Sequence, residues 1–428
     1  MERQYDAIVI GAGPAGSAAA ILLARAGWHV ALIEKKSFPR RKVCGECIAA
    51  SNLPLLDALG IGKDFAALAG PPLRRVALMA GERTIHAELP PYDHPAHRWG
   101  VALGREHLDT LLISEARACG VQVHQPWIAR SIEKSSEGGP GNFRCAIEHA
   151  DMRKRLTLDA PVLIDAHGSW ETLHSGESAR RERHRPSDLF AFKANFTGTA
   201  LEPGLLPVLS FPGGYGGMVI ADHSTMTLAF CMRRDALAAC RREMPDATAA
   251  EAAVAHVMRS CRGVSEAVSG TSQSGAWLAV GPLRPGIRMP SRGDGIFRIG
   301  NSAGEAHPII GEGMSMAIQS AWLLAGMLAP VRRRCTEEDF LLSLQNDYAK
   351  AWRRQFAPRM RLAALFAQAA MRPGLTGRLL PLLQRYPQIL TMAARWSGKI
   401  RCVQVEDIIL ASREIGLHEE KARSGTRN

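Results

Sequence analysis

The sequence has no uninterrupted run of the roughly 20 apolar residues that a membrane-spanning helix needs. We therefore expect no transmembrane segment. The first 30 residues are apolar enough to be mistaken for a signal peptide, but Asp6 precedes the apolar run, and glycines, a proline and Arg25 interrupt it. We interpret this stretch as part of the folded protein.

Cysteines are few and irregularly placed. The nine cysteines form an odd, scattered set in a chain of 428 residues, which argues against the disulfide framework of a small secreted protein. Because free thiols persist in reducing compartments, this pattern favours a cytoplasmic location.

Acidic residues are outnumbered by basic ones. The chain has 53 Lys and Arg against 41 Asp and Glu, a formal net charge of +12, and much of the excess lies in clusters at 179–185, 331–334 and 353–361. Such clusters are typical of a solvated basic surface, and they would also steer an anionic small molecule or an acidic partner protein. No nucleic-acid-binding module accompanies the charge, so nucleic acid is not an expected partner.

The most informative run lies near the N-terminus. Ala7–Ile10 reads as a short buried strand, residues 11–16 form a G-x-G-x-x-G loop, and 17–26 read as a helix of small residues. Val30–Ile33 reads as a second strand, and Glu34 stands at its end. Strand, glycine loop, helix, strand and acid in this order predict a site for an adenine dinucleotide, either FAD or NAD.

Each residue type in this run has a physical reason. Gly11 permits a tight turn, Gly13 lets the backbone approach a pyrophosphate, and Gly16 lets the helix pack closely on the strand. The helix N-terminus faces the phosphates, and Glu34 can bond both hydroxyls of the adenosine ribose. The predicted dinucleotide-binding residues of this run are Gly11, Gly13, Ala15, Gly16, Glu34 and Lys35.

A second motif separates the two dinucleotides. Residues 296–317, IFRIGNSAGEAHPIIGEGMSMA, read as a strand ending at Gly-Asn301, a loop and an apolar helix. This run resembles the second FAD motif of the flavoprotein family that includes group A aromatic hydroxylases, geranylgeranyl reductases and flavin-dependent halogenases. In that family an Asp bonds the ribityl chain where Asn301 stands here, and the amide oxygen of Asn301 retains the acceptor.

The resemblance implies that the loop from Pro308 to Met314 runs under the flavin ring. Its amides, and the N-terminus of the helix that begins near Gly313, would then stabilise the anion of reduced flavin. We therefore expect His307 and Pro308 to shape the flavin environment, and Gly311, Gly313 and Met314 to contact the cofactor. The same reasoning assigns substrate choice to the middle of the chain.

Two further segments match the family. Arg105, in LGREHLDTLLISEA, corresponds to an Arg before a Leu-Asp-x-x-Leu helix, which implies an FAD contact. Residues 163–171, LIDAHGSWE, fall where the family has a Gly-Ala-Asp-Gly stretch that serves FAD and the nicotinamide cofactor, and His167 replaces that Asp. The family implies NAD(P)H as the electron donor, without a separate NAD domain.

The segment RRKVCGECIAAS places Cys44 and Cys47 close together. A redox dithiol is one interpretation, although flavin disulfide reductases use a wider spacing and a C-terminal dimer domain. Half of a zinc site is another, but the sequence offers no second close Cys or Cys/His pair, and no metal is expected. The preferred interpretation is structural: the segment resembles the CGE segment of geranylgeranyl-reductase-like members, with Arg41 and Cys44 at the cofactor, a turn at Gly45 and a helix from Ile48.

The middle of the chain is rich in short β-type runs, such as FAFKANFTG, LLPVLSF and MTLAFCM. They suggest an antiparallel sheet, which in the family forms the substrate chamber against the flavin. The predicted lining residues are Phe211, Tyr215, Met218 and Trp277, each of which would also suit an ordinary core or turn position. Residues 331–428 look helical, and would cap the chamber or offer a docking face for a partner.

Together these patterns predict an α/β fold: a Rossmann-like FAD-binding domain with a parallel sheet and a β-meander, an inserted antiparallel-sheet substrate domain, and a helical C-terminal region. The predicted segments are 1–70, 98–170 and 291–330 for the FAD-binding domain, 71–97 and 171–290 for the substrate domain, and 331–428 for the C-terminal region.

The resemblance implies an FAD-dependent monooxygenase, in which reduced flavin and O₂ form a C4a-hydroperoxide that hydroxylates an aromatic substrate of phenol or indole type. A reductase of isoprenoid double bonds is the alternative that the CGE resemblance favours. A flavin halogenase is a third, although its Trp-x-Trp-x-Ile-Pro signature and lysine motif are absent.

A hypothesis from another class is an electron-transfer or maturation flavoprotein whose substrate is a protein. The chain resembles flavoproteins that hydroxylate a tryptophan of a partner polypeptide during tryptophylquinone maturation. The basic surface and the helical tail would suit an acidic partner of that kind.

Overall fold

The computed structural model describes residues 2–135, 142–169, 185–290 and 294–398. Its strands are β1 Glu2–Gln4, β2 Ala7–Ile10, β3 Val30–Ile33, β4 Cys47–Ile48, β5 Arg75–Ala80, β6 Arg83–Glu88, β7 Val101–Ala102, β8 Gln122–His124, β9 Trp127–Ser135, β10 Asn142–His149, β11 Arg155–Ala160, β12 Val162–Asp165, β13 Leu189–Thr197, β14 Leu205–Phe211, β15 Gly214–Ala221, β16 Thr225–Arg233, β17 Ser272–Leu283, β18 Gly286–Ile287, β19 Ile296–Arg298 and β20 Gly304–Glu305.

The helices alternate with these strands in the first half of the chain and dominate its end. They are α1 Pro14–Arg25, α2 Leu53–Ala58, α3 Gly62–Leu68, α4 Arg105–Ala118, α5 Arg234–Glu243, α6 Ala249–Ser260, α7 Arg262–Val268, α8 Gly313–Leu328, α9 Glu338–Ala370, α10 Pro373–Arg385 and α11 Gln388–Ser397.

A parallel sheet of five strands, in the order β19-β12-β2-β3-β8, holds the nucleotide motif. Every residue of β2, β3 and β12 is buried, as expected when both faces of a parallel sheet are covered. Helices α1, α4 and α8 cover one face. The meander of β9, β10 and β11, with β1 beside β11, covers the other face. The carboxyl ends of β2 and β3 therefore deliver the glycine loop and Glu34 to one edge.

A second sheet of seven strands has the order β17-β13-β16-β15-β14-β5-β6. Neighbouring strands are antiparallel except β14 and β5, which run parallel. Helices α5, α6 and α7 pack on one face of this sheet and bury its aromatic residues. The observed architecture confirms the predicted α/β class, with a parallel sheet, a largely antiparallel second sheet and a helical C-terminal region.

Two expectations about local structure are wrong. The helix expected from Ile48 begins only at Leu53, because β4 pairs with β7 and a 3₁₀ turn at Ala50–Asn52 follows. Helix α1 begins at Pro14, three residues before its predicted start, because proline is tolerated in the first turn, where its missing N–H has no partner to lose.

Helix α8 and the 3₁₀ turns that continue it form a segment, Gly313–Arg334, that is long and apolar enough to cross a membrane. Most of this segment is buried in the protein, where α8 packs against α1. It is therefore the central helix of the core.

Helix α9 packs along α8 and carries α10 and α11 to the open face of the seven-stranded sheet. The buried Arg359 of α9 donates to the amide oxygen of Gln319 in α8 (3.0 Å). The hydroxyl of Ser210 donates to the carbonyl of Ala370 (2.7 Å), and that of Thr391 to the carbonyl of Glu88 (2.6 Å). These bonds attach the C-terminal helices to strands β14 and β6.

Candidate functional site

One cavity of about 810 Å³ connects the two sheets. It runs from the glycine loop after β2, past the segment 40–47 and the loop before α8, to the open face of the seven-stranded sheet and helices α9, α10 and α11. Its size and its mainly apolar lining are those of a ligand-binding site. Most residues predicted from the sequence lie on its walls, but several do not.

The glycine loop forms the inner end of the cavity. Gly11 has a φ of +102°, and a side chain there would approach the carbonyl oxygen of Ala166 to 2.5 Å. A side chain at Gly16 would collide with the carbonyl oxygen of Gly11. Gly13 faces the cavity, where the Nη2 atom of Arg105 would lie 3.6 Å from an added methyl group. The loop is therefore a backbone cradle that only glycine can form.

Glu34 is fixed at the end of β3 with its carboxylate on the cavity wall. One carboxylate oxygen accepts from the backbone N–H of Ala12 (3.0 Å) and the other from that of Lys36 (2.9 Å). The side chain of Lys35 is exposed and does not line the cavity, and its contact with the cofactor stays a prediction. The chain turns after β3, so Glu34 points inward and its neighbour points outward.

Arg105 begins α4 and lies beneath the cradle. Its guanidinium makes two bonds of 2.7 Å to the buried carboxylate of Asp109. Burial alone would lower the pKa of Arg105, but the Asp109 carboxylate raises it above its usual value. Arg40 lies 3.5 Å from Glu34 and 3.7 Å from Asp109. Ion pairs therefore hold two arginines at the inner cavity.

Two more basic side chains line this end. Burial, together with Arg105 and Arg40, lowers the pKa of Lys42 to about 8. Arg41 donates to the carbonyl of Ser274 (3.3 Å). The Nε atom of Arg40 and the Nη2 atom of Arg41 are buried without a hydrogen-bond partner among the described residues. Such donors suit an anionic ligand in the cradle. Arg40 and Lys42 were not predicted, although both stand in the basic run that precedes Cys44.

The CGE segment has an unusual backbone conformation, one residue after the predicted turn residue Gly45. Glu46, with a φ of +60°, and not Gly45, occupies the left-handed region. The Glu46 side chain is buried, forms an ion pair with Lys193 of β13, and accepts from the hydroxyl of Thr227 (2.5 Å) and the backbone N–H of Arg105 (3.2 Å). These contacts fix this conformation and overcome the backbone strain. In the sequence, the signal for this ion pair is Lys193, the lone lysine in the apolar run FAFKANF.

Cys44 and Cys47 both line the cavity, and neither forms a disulfide with another described residue. The sulfur of Cys44 accepts from the backbone N–H of Glu46 (3.4 Å). Cys47 belongs to β4 and pairs with Ala102. Each cysteine thus has its own structural position, in agreement with the structural interpretation of the segment. That the pair is not a catalytic dithiol stays a prediction.

The second motif forms the cavity wall beside the cradle: an added methyl group at Gly300 would lie 3.0 Å from the Cβ atom of Ala15. Asn301 lines the cavity, and its amide nitrogen donates to the hydroxyl of Ser169 (2.9 Å), which donates to Glu305 (2.9 Å). Arg288 pairs with Glu305 at 2.7 Å. These bonds hold the Asn301 side chain in place beside the cavity. His167, which replaces the family's Asp, pairs with the carboxylate of Asp165 at the end of β12.

The loop before α8 leads into the helix at the residue that the sequence predicts. Pro308–Ile310 form a 3₁₀ turn, Gly311 has a φ of +63°, and α8 begins at Gly313. Pro308, Gly311, Gly313 and Met314 all line the cavity. His307 does not, because its ring lies behind the wall, and burial lowers its pKa to about 4. Its Nδ1 atom is 3.0 Å from the hydroxyl of Tyr215.

The predicted substrate residues divide into two pairs. Tyr215 and Met218 of β15 line the cavity, and burial raises the pKa of Tyr215 well above its usual value. Phe211 and Trp277 are not among the residues that line the cavity: both pack with Phe230 in the aromatic core under α5, α6 and α7, and their role in substrate binding stays a prediction. Met218 packs in the same core, although it also borders the cavity.

The C-terminal helices supply the outer wall, in agreement with the interpretation that the tail caps the chamber. The residues of this wall were not predicted from the sequence, because a helical pattern alone does not show which side of a helix faces a cavity. The large apolar residues on this wall are Phe366, Leu379, Leu382, Leu383, Ile389 and Leu390.

One group of metal-ligand side chains occurs in the part of the chain that the structure describes: Glu106, His107 and Asp222. None of the three lines the cavity. Asp222 accepts from the backbone N–H of Gly104 (2.7 Å), immediately before α4. This local structural role accounts for the Asp222 carboxylate.

Residues 4–354 match the protein family described as FAD binding domain. The chain belongs to this family. Membership confirms the expected FAD-dependent oxidoreductase class and the FAD cofactor.

Curated relatives and solved structures are similar to this chain over most of its length. The menaquinone reductase of Mycolicibacterium smegmatis is 25% identical over 414 residues, which cover 94% of this chain and 93% of the relative. The tryptophan 2-halogenase of Chondromyces crocatus is 24% identical over 340 residues, covering 76% of this chain and 61% of the relative.

The structure of flavin-dependent brominase Bmp2 superimposes with a TM-score of 0.72 at 20% identity, covering 98% of this chain and 100% of that chain. At this identity the likeness shows the fold. The chain spans less than two thirds of some curated relatives that it matches, including 34% of conditioned medium factor receptor 1 from Dictyostelium discoideum.

FAD fits the inner cavity. The side-chain-free surface of Gly13, the N-terminus of α1 and the unpartnered donors of Arg40 and Arg41 suit a pyrophosphate. The fixed carboxylate of Glu34 suits the adenosine ribose. Asn301 offers an acceptor on the wall that the second motif forms. Bound FAD would occupy the inner end and leave the outer, apolar end to a substrate.

Proposed function

We propose that the chain is an FAD-dependent reductase of carbon–carbon double bonds in an isoprenoid substrate. The observation that carries this proposal is the outer half of the cavity, which continues from the flavin site to α10 and α11 between aliphatic walls. An isoprenoid chain is long, flexible and without polar groups, and it gains free energy from leaving water for such a wall.

The lining residues support a substrate without polar groups. The hydroxyl of Tyr215 is engaged by His307 behind the wall, so the tyrosine contributes an apolar surface. Lys193, the one lysine of β13, is held by Glu46 in a buried ion pair. Leu379 and Leu383 of α10 add branched aliphatic surface. These residues bind the chain and keep water from the reacting carbons, while reduced FAD, when bound, supplies the hydride.

Two further features support the reductase. The CGE segment, with Cys44 and Glu46 at the cavity, is the segment that resembles geranylgeranyl-reductase-like members. The menaquinone reductase of Mycolicibacterium smegmatis is similar over nearly the whole of both chains. NAD(P)H is the proposed electron donor, and the cytoplasm the proposed location.

The second candidate is an FAD-dependent monooxygenase that hydroxylates a phenol- or indole-type ring, with a tryptophan of an acidic partner polypeptide as a special case. The observation that favours it is the space beside Tyr215, where Gly217 lines the cavity without a side chain and leaves room for a flat ring. A halogenase-like tailoring enzyme has less support, because the family's Trp-x-Trp-x-Ile-Pro signature is absent.

Product analysis with and without O₂ separates these candidates. The FAD-loaded protein and NAD(P)H are incubated with geranylgeranyl diphosphate, with a menaquinone, or with an indole or phenol. The reductase gives an isoprenoid product heavier by two hydrogens in the absence of O₂. A monooxygenase needs O₂ and gives a product heavier by one oxygen, which ¹⁸O₂ labels.

A cavity variant tests the binding wall. Leu383→Trp should obstruct the outer half and lower turnover of a long isoprenoid while leaving the FAD content unchanged, because Leu383 lies on α10 and packs against the cluster of Ala80, Ile85 and Leu380, which includes no cradle residue. Equal turnover in Leu383→Trp and the unmodified chain would argue against the proposed binding mode.

A further inference from the structure

The last three helices expose large apolar side chains. In the described part of the chain, seven of the nine exposed large hydrophobic residues lie between residues 365 and 396. We call them the C-terminal apolar face: Leu365, Leu375, Leu382, Tyr386, Ile389, Met392 and Trp396. A contiguous apolar patch on a protein surface marks an interaction site.

Helical spacing assembles these residues into stripes. Leu375 and Leu382 are seven residues apart on α10, and Ile389, Met392 and Trp396 follow at intervals of three and four on α11. Residues at these spacings lie on one side of a helix. Helix α10 contacts both α9 and α11, so the stripes adjoin.

The charge around the face has one sign. The sequence contains no Asp or Glu from residue 348 to residue 398. Five exposed arginines are distributed over the same helices: Arg361, Arg372, Arg378, Arg385 and Arg395. Apolar stripes with tyrosine and tryptophan beside arginines are the composition of helices that lie in the interface of an anionic bilayer.

The cavity opens at this face. Leu382 and Ile389 are 47% and 38% exposed, and both also line the cavity. A side chain that borders the cavity and the solvent together stands at the cavity mouth. This mouth therefore lies between the end of α10 and the start of α11, within the apolar face.

We propose that the C-terminal apolar face binds the surface of a bilayer containing anionic lipids, and that the substrate passes from the bilayer into the cavity between α10 and α11. The membrane binding stands on the face and its charge. The route of entry rests on the proposed function, since it requires a substrate that is dissolved in lipid. A cytoplasmic protein with this face would attach to the membrane peripherally.

Vesicle sedimentation tests the membrane binding without turnover. The FAD-loaded full chain is mixed with vesicles of phosphatidylglycerol and phosphatidylcholine, or of phosphatidylcholine alone. We expect binding to the anionic vesicles that weakens with salt, and weaker binding to the neutral ones. Absence of binding to anionic vesicles overturns the proposal.

Met392 and Met152 provide a matched pair of variants. They are 48% and 47% exposed, but only Met392 belongs to the C-terminal apolar face. Met392→Ser should weaken vesicle binding about tenfold, the effect of withdrawing one large apolar side chain from the bilayer, and Met152→Ser should leave it unchanged. Equal effects of the two substitutions overturn the proposal.

Arginine variants test the charge. Arg378→Gln with Arg385→Gln should weaken binding to anionic vesicles about 30-fold and leave binding to neutral vesicles unchanged. The control is Arg241→Gln with Arg242→Gln on α5, where both arginines are also exposed.

If Met392→Ser instead dissociates a dimer in solution or releases a partner protein, while vesicle binding persists, the face has a different occupant and the proposal falls.

The route of entry has a separate readout. Met392→Ser should lower turnover of an isoprenoid embedded in vesicles and leave turnover of the same isoprenoid in detergent unchanged. An equal loss in both media overturns the route. If no isoprenoid is turned over in either medium while anionic vesicles still bind, the proposed function and the route fail and the membrane-binding surface stands.

Discussion

The hydroxyl of Tyr215 lies 3.0 Å from the Nδ1 atom of His307. This contact joins the sheet that forms the substrate wall to the loop that precedes α8. The sequence predicts separate functions for these two parts: the loop shapes the flavin environment, and the sheet sets substrate choice. The hydrogen bond links these two parts, so a change on the sheet should also affect the loop.

The Tyr215–His307 bond predicts a measurable coupling. Tyr215→Phe should shift the reduction potential of the bound FAD as well as the substrate preference, because it releases His307 and the following loop. A double-mutant cycle with His307→Gln should give a coupling of about 1 kcal/mol in the free energy of unfolding, the net value of one hydrogen bond. Strict additivity, with an unchanged potential in Tyr215→Phe, would show that the two parts act independently.

Gly13→Val should abolish FAD binding. The added side chain would enter the space between the cradle and Arg105, where the pyrophosphate is expected. FAD content after purification, measured from the flavin absorbance, is the readout. Gly286→Val is the control, because an added methyl group at Gly286 meets no atom within 4 Å. A Gly13→Val variant that retains one FAD per chain would place the pyrophosphate elsewhere.

Lys42 predicts a pH dependence of FAD binding. Its pKa in the cofactor-free protein is about 8, lowered from 10.5 by burial and by Arg105 and Arg40. The side chain is therefore charged below pH 8 and neutral above it, so affinity for the anionic cofactor should fall as the pH rises through about 8. Titration calorimetry over this range checks the inflection. Lys42→Gln should remove it, and an inflection that persists in Lys42→Gln would assign it to another group.

The ion pair of Glu46 and Lys193 should be sensitive to loss of either partner. Glu46→Gln or Lys193→Met leaves one buried charge without its counterion, and each should lower the free energy of unfolding by about 3–5 kcal/mol. The double variant should lose less than the sum, because no unpaired charge remains. Urea unfolding of the three variants measures this, and fully additive losses would contradict a direct pair.

The nucleotide half of the fold was predictable because its signals are local. The bounds of β2 and β3 agree with the sequence prediction, since a buried parallel strand is a continuous apolar run. The positions of Gly13 and Glu34 also follow from one short motif. In contrast, Glu46 and Lys193 are 147 residues apart, and no local pattern reveals that they meet.

The substrate half was less predictable because its signals depend on which face a side chain occupies. Strands β13 and β17 are paired with irregular register, so counting along the sequence does not fix which face Trp277 occupies. On α10, the stripe that lines the cavity and the stripe that faces solvent are both aliphatic. Leu383 belongs to the first stripe and Leu375 to the second. Only the packed structure separates them.

Reoxidation of reduced FAD in the absence of O₂ is the most direct test of whether the chain reduces isoprenoid double bonds. The bound flavin is reduced anaerobically and mixed with a geranylgeranyl substrate, and its absorbance is followed. If the chain reduces isoprenoid double bonds, the yellow oxidised flavin returns without O₂ and an equal amount of product gains two hydrogens. If the flavin stays reduced until O₂ is admitted, and the isoprenoid is recovered unchanged, the account of this chain as an isoprenoid reductase is contradicted.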